Sequence, residues 1–469
     1  MDEEHKVKWP WVDALGDYAV VPVHPKERRT LTNQFLVFTG VLACIAALWG
    51  GGALGTQLNL TNLIIAAIVG SAIVSVIGAL TAYIGGHTGT STYVNLSRPF
   101  GRYGGFLWGL AAAGITCGLG WFAVETWLFG VMIHDLAPNA WWANVGVASI
   151  WGGLLMMTTA VIGYKGLSFL SYLTVPLFIV LAGVAFAMGV YQGGGIEKIF
   201  SIKPVNPVPL SVAITSVVGL YIAGATITAD VGRFAKRPRD PVIAWVVQVM
   251  VIMPYFLVGA GMLTLGMGGT RITAALLIAG AGLGAYAMAI FGQWTTNDNN
   301  LYSGALNWVL LVPLSKRTVT IIEGVIGTAI AAYVGFAAGA SLDPFINFLN
   351  ILGKFVPAVG GVLIADFYVY RWYKKIPAHE RYALKIGEKI GEINWAGWLS
   401  AIVGGILGGW YVPGIAALNS LILGFVFYAI IAILCDKAGI SLYIGKYTVT
   451  KYGLAPTWVV KRYERGEKL

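Results

Sequence analysis

Leu48-Trp49-Gly50-Gly51-Gly52-Ala53-Leu54-Gly55-Thr56 lies inside an uncharged stretch running from about residue 34 to 58. That stretch is long enough to cross a hydrocarbon core ~30 Å thick, yet its centre is filled with a residue that forms helices poorly. Gly219, Tyr221 and Gly224 interrupt a second such stretch, 208 to 230. A membrane tolerates an unwound helix only where the freed backbone groups line a cavity or bind a ligand. Two Gly-broken segments at matching places in two halves point to an inverted-repeat carrier with its site at the breaks. The alternative is that these glycines let helices pack closely. Gly50, Gly52 and Gly55 also satisfy G-x-G-x-x-G, but they interrupt a membrane span rather than join a strand to a helix, which excludes a dinucleotide loop.

Outward from this segment, apolar runs of similar length recur along all 469 residues. Spans are expected near 34 to 58, 62 to 86, 104 to 132, 142 to 163, 170 to 191, 208 to 230, 241 to 266, 275 to 303, 319 to 339, 344 to 370, 394 to 411 and 414 to 435. With 57% apolar and 11% charged residues and a mean hydropathy of +0.74, the chain reads as an all-α polytopic membrane protein in a lipid bilayer. The first 30 residues hold charges and Pro10, Pro22 and Pro25 but no short apolar stretch with a cleavage site, so the first span is expected to serve as its own signal.

The positive charge orients the spans. Of 31 Lys and Arg, 27 fall in the segments that are inner if the N-terminus is cytoplasmic, and only Lys198, Lys203 and Arg271 in the outer ones. That asymmetry puts both termini in the cytoplasm, and the net charge of +10 needs no nucleic-acid partner. The basic tail after Cys435 is expected to lie at the inner membrane surface. Cys44, Cys117 and Cys435 fall in apolar stretches, implying no disulfide framework.

Polar groups within spans are costly and therefore informative. The eighth span carries seven polar side chains between Gly292 and Asn300: Gln293, Asn297 and Asn300 share one helical face, while Gly292, Thr295, Thr296 and Asn299 share another. Adjacent hydroxyls with backbone carbonyls at a helix break supply oxygen ligands for an alkali cation; the alternative for a Thr pair is a bond back to the preceding turn. In the third span, Trp121 and Glu125 lie one turn apart, beyond Gly114 and Gly118. An indole beside an acidic acceptor suits a flat ring with N–H donors, and a buried carboxyl there is a candidate proton carrier; the alternative is a protonated residue tying helices together. Asp230 near Arg233, and Asp366 near Arg371, are expected to form surface ion pairs at span ends. Glu323 and Lys354 receive no role. No two histidines lie three or four residues apart, and no P-loop or nucleophile elbow occurs, so an enzyme is not indicated.

Five motifs together resemble the nucleobase:cation symporter-1 family, cytosine permease group, over about residues 30 to 435. They are Leu48 to Thr56, Gly120-Trp121-Phe122, Thr228-Ala229-Asp230 with Arg233-Phe234, Trp294 to Asn299, and Pro357 to Val362 with Ile364-Ala365-Asp366. The resemblance implies a LeuT-type five-plus-five inverted repeat with about twelve transmembrane helices, and alternating access driven by sodium or protons. On that basis residues 1–30 form a cytoplasmic segment, 31–436 the transporter domain and 437–469 the tail. The repeats span about 31–195 and 205–372, followed by two extra helices at 394–436.

The resemblance also implies a sodium site at Gly40, Ala43, Gly292, Thr295 and Thr296, and a substrate site at Cys44, Trp121, Glu125, Leu220, Tyr221, Gly224 and Asn297. This chain departs from the cytosine permease pattern at Gly118, where the group carries glutamine, at Glu125, where an amide is commoner, and at Cys44, where it has an aromatic. Symport of a nucleobase or related heterocycle, of cytosine, purine or aminopyrimidine type, is the expected function. An allantoin, hydantoin or hydroxymethylpyrimidine carrier is the alternative within the family, and a passive channel or membrane receptor the alternative outside it.

Overall fold

The computed structural model describes residues 17–204, 207–268, 282–337, 339 and 343–466. Arg271, residues 275–281 of the eighth span, and both chain ends lie outside the described residues. Nine described helices are long and apolar enough to cross a membrane, and ten when the bent pair α1 (Leu31–Leu42) and α2 (Ile45–Gln57) counts as one span. Two further described helical segments fall outside that count. These are 282–308, with the polar run of span eight at its middle, and 395–411, an α-helix of 12 residues extended by a π segment of 5.

The bundle is apolar outside and polar within. Phe169, Val180, Tyr333 and Phe336 are more than half exposed on its rim, while Thr81, Gln293, Asn297 and Asp298 are buried. Lipid accepts the first set, whereas the second must find partners inside the protein. Thr81 of span two (Leu60–Thr88), for example, donates to Ala225 O at 2.6 Å and lies 2.7 Å from Thr228 Oγ1.

Both expected breaks exist, but not at the glycines. Span one bends by 53° between α1 and α2, where Ala43 and Cys44 leave helical geometry. Gly50, Gly51 and Gly52 sit inside α2, where Gly51 serves packing: a Cβ on it would strike the Leu257 backbone. A Cβ on Gly55 would come within 2.8 Å of Gly261 Cα. Likewise span six stays helical through Gly219 and Gly224 (Leu210–Thr226) and breaks at Ile227–Thr228, before the short helix Ala229–Gly232. Gly219 is needed for contact with the Leu349 carbonyl of span ten. Glycine content therefore marks where helices touch, and the breaks lie a few residues away.

Neither expected surface ion pair is on the surface. Asp366 is fully buried, bridged by Arg371 at 3.1 Å and by the hydroxyls of Tyr382 at 2.7 Å and Tyr428 at 2.6 Å. Asp230 is also fully buried and accepts from the Thr92 amide at 2.8 Å. The Arg233 guanidinium donates to Tyr302 Oη and to the Tyr18 carbonyl.

The basic tail is not a free amphipathic segment. Strands β1 (Lys389–Ile390) and β2 (Ile393–Asn394) pair with β4 (Tyr447–Thr448) and β3 (Tyr443–Ile444), respectively. Leu454 and Ala455 are buried beside the N-terminal residues Ala19 to Val21, with Leu454 N donating to Val20 O at 3.3 Å.

Candidate substrate and ion site

The break in span one leaves orphan backbone groups inside the bundle, and span eight meets them. Cys44 offers no side-chain cap to α2, so the Ile45 amide donates instead to Gln293 Oε1 at 2.8 Å. The same side chain donates through Nε2 to the Glu125 carbonyl of span three (Arg102–Leu136) at 2.8 Å. Gln293 thus ties the break in span one to span three. Gln293→Leu, similar in bulk, strands the buried Ile45 amide, costing about 1–3 kcal/mol. The expected result is a lower melting temperature in detergent with substrate-free protein; an unchanged one would show that the amide finds another partner.

At the end of α1, Thr296 Oγ1 lies 3.2 Å from Gly40 O, 3.0 Å from Val41 O and 3.2 Å from Gly292 O. Thr295 Oγ1 bonds back to Phe291 O at 3.1 Å and Gly292 O at 3.0 Å. A Cβ on Gly292 would lie 3.0 Å from Ala43 O, and one on Gly40 3.6 Å from Thr295 Cβ. Gly40, Ala43, Gly292, Thr295 and Thr296 are therefore neighbours, joined by the Val41 carbonyl. The cluster is all hydroxyl and carbonyl oxygen, the donor set a hard monovalent cation takes at a helix break. No group of three or more His, Cys, Asp or Glu able to hold a metal occurs among the described residues.

Beside this cluster lies a cavity where spans one, three, six, seven and eight meet. Its aromatic surface comes from Phe38 of span one, Trp121 of span three, Tyr221 of span six and Trp245 of span seven. The Tyr221 and Trp245 rings stack at 5.0 Å, and Phe38 meets Trp245 edge-on at 5.4 Å. Trp121 is held edge-on by Phe348 at 5.3 Å. Cys44, Glu125, Leu220 and Gly224 line the same space. The Glu125 carboxyl lies beside the Ala46 amide in the first turn of α2, the Cys44 thiol and Gln293. One of its oxygens, Oε2, is buried without a hydrogen-bond partner.

One expected residue is not at the cavity. Asn297 turns the other way, donating to Phe122 O at 3.2 Å and Thr126 Oγ1 at 2.9 Å of span three, with Met156 Sδ at 3.2 Å. The face of span eight that reaches the cavity is Thr296, Asn299, Asn300 and Ser303. These follow the one-turn and two-turn spacing of a helix, so the face was recoverable once Thr296 was set against span one. Asn299 Nδ2 donates to Thr295 O at 2.8 Å, which fixes the amide's orientation and leaves Oδ1 buried without a partner. Trp245 carries no polar or glycine signal and is found only through the fold. Gly118 lies off the cavity, because the Glu323 side chain of span nine occupies the space beside it.

The sequence profile of permeases for cytosine/purines, uracil, thiamine and allantoin matches residues 22–432. The chain belongs to this permease family. It is 29% identical to the cytosine permease of Escherichia coli K12 over 418 residues, 89% of this chain and 94% of that one. It is 22% identical to the hydantoin permease of Microbacterium maritypicum over 391 residues, 75% of each chain. Among solved structures it resembles Mhp1, a nucleobase-cation-symport-1 family transporter in a closed conformation with bromovinylhydantoin bound. That match has a TM-score of 0.70 at 19% identity, covering 92% of this chain and 98% of Mhp1. A Na+-coupled sialic acid symporter follows at a TM-score of 0.63 and 14% identity, covering 94% of each chain. The permease is a multi-pass membrane transporter with the LeuT-type fold, not an enzyme.

Proposed function

We propose that this permease takes up a nucleobase-type heterocycle rich in N–H donors, of cytosine, aminopyrimidine or purine type, by cation symport through alternating access. The observation that carries the reading is a cavity walled by Trp121, Tyr221 and Trp245 in which two buried acceptors, Glu125 Oε2 and Asn299 Oδ1, have no partner. An unpartnered buried acceptor is costly, and a flat ring stacked on the indole with donors at its edge would satisfy both. The substrate residues are then Cys44, Trp121, Glu125, Leu220, Tyr221 and Gly224, with Asn299 in place of Asn297. A hydantoin carrier is the second reading, favoured by the hydantoin permease relative.

Sodium is the coupling ion best supported, since the Gly40, Ala43, Gly292, Thr295 and Thr296 cluster offers oxygen ligands from both halves of the bundle. The repeats would span about 31–195 and 205–372, with 394–436 as added helices. The bias of 27 basic residues against 3 supports cytoplasmic termini in the cell membrane.

A thermal-shift screen of purified permease against pyrimidines, purines, hydantoins and allantoin, with and without sodium, tests this directly. Stabilisation by a donor-rich pyrimidine or purine, larger in sodium, is expected; stabilisation by hydantoins alone would favour the second reading. Glu125→Gln exchanges an acceptor-only edge for a mixed one. It should weaken donor-rich ligands by tenfold or more, since hydrogen bonds to charged groups contribute about 1.5–3 kcal/mol. An unchanged rank order of ligands would remove Glu125 from the site.

A further inference from the structure

Four buried carboxyls have no ion pair within 4 Å among the described residues: Glu125, Asp298, Glu323 and Asp230, the last of which accepts from the Thr92 amide and has Arg233 as its charged neighbour. They differ in what surrounds them. Glu125 has the α2 amide end and faces the cavity. Asp298 accepts from Thr159 Oγ1 at 2.9 Å and Asn299 Nδ2 at 3.2 Å. Glu323, 3% exposed, has no hydrogen-bond partner on either carboxyl oxygen. Its carboxyl is wedged where span three crosses span eight, against the missing side chains of Gly118 and Gly304. The two backbones nearly touch there: a Cβ on Gly304 would lie 2.7 Å from Gly118 Cα.

The surroundings of Glu323 rule out the usual ways of holding a carboxylate. The Trp308 indole is nearby, but its N–H donates to Gly114 O at 3.1 Å. Lys316, two turns earlier on the same span, bonds Asp17 at 2.8 Å and lies over the Tyr302 ring at 4.2 Å. Cys117 of span three is the other titratable neighbour. Glycine Cα atoms and an indole provide no oxygen shell for a metal ion. A charge there would carry a large desolvation cost, and the two groups that would favour it, the Trp308 indole and Lys316, are engaged with Gly114 and Asp17, so a neutral carboxyl fits the space.

We propose that Glu323 is a proton-carrying site, separate from the oxygen cluster at Thr296, through which proton movement is coupled to the permease's cycle. The proposal rests on the transport reading above. In the sealed crossing the carboxyl holds its proton; losing it to water requires the crossing to open and hydrate. The neighbours of Gly118 and Gly304 make this consequential, because Cys117, Trp121, Asn300 and Ser303 line the cavity from the same two helices. Gly118 also lies in the π-helical segment Leu110–Trp121 of span three, a loosened winding of the kind found at functional sites. Whether Glu323 holds its proton thus biases how closely the two cavity walls approach.

The test is substrate-driven proton movement in proteoliposomes containing a trapped pH dye, using the best heterocycle from the stability screen. Wild type is expected to acidify the lumen as substrate enters. Glu323→Gln, an isosteric neutral side chain, should bind the heterocycle within about fivefold of wild type but carry no proton, and its uptake should no longer vary with pH. Acidification at the wild-type rate in Glu323→Gln would overturn the proposal and leave Glu323 a packing residue. Acidification lost in Glu125→Gln but kept in Glu323→Gln would equally overturn it, moving the proton to Glu125. Should the variant not fold, the wild-type measurement decides: uptake without acidification at any pH rejects the proposal. A wild type that binds no heterocycle would instead reject the functional reading beneath it.

Discussion

Thr296→Ala is expected to weaken the sodium support of uptake roughly ten- to a hundredfold while leaving ligand affinity at saturating sodium near wild type. Thr296 Oγ1 lies within 3.2 Å of the Gly40 and Val41 carbonyls of span one and of the Gly292 carbonyl of span eight. The Thr295 hydroxyl bonds only within its own helix. Removing one ligand of charge-assisted type costs about 1.5–3 kcal/mol, or roughly ten- to a hundredfold in sodium affinity. The check is heterocycle binding titrated against sodium: the variant's curve should shift by that factor, with ligand affinity at saturating sodium near wild type. Thr295→Ala should shift it less. An unchanged sodium curve in Thr296→Ala would place the coupling ion elsewhere.

Trp121→Ala should cost more in ligand binding than any other single change at the cavity. Trp121 is 6% exposed and presents its indole to the cavity, held by Phe348. Loss of a stacking platform for a base costs about 1–3 kcal/mol, and the hole left behind also loses its desolvated wall, so affinity should fall by about a hundredfold. Trp121→Phe, which keeps a smaller ring, should recover part of this. Calorimetry or ligand-induced thermal shift reads both; wild-type affinity in Trp121→Ala would move the substrate to another cavity.

Much of this is legible in the sequence, and the places where it misleads share a cause. Run length and the rarity of charge found the spans, because a bilayer imposes one length on every crossing segment. Trp121, Glu125, Tyr221 and the Thr295–Thr296 pair stand out in sequence because polar and aromatic groups inside a membrane need a reason to be there. The breaks were misplaced onto Gly50–Gly52 and onto Gly219 and Gly224, since glycine serves both unwinding and close approach, and only the packing against Leu257 and Leu349 separates the two. Asn297 was put at the cavity, whereas Asn299 and Asn300 reach it, because the eighth span is polar on nearly every face and its rotation is set by span one. Glu323 carried no local motif, and its setting depends on two glycines far away in sequence, Gly118 and Gly304.

The central claim is that a cation gradient drives accumulation of a heterocycle through this cavity. Proteoliposomes holding the purified permease, given radiolabelled ligand from the stability screen and an inward sodium gradient, measure it directly. Internal ligand should rise above the external concentration and fall back to equality when the gradient is collapsed. Simple equilibration at the same rate with or without the gradient would contradict the account and leave a passive channel in its place.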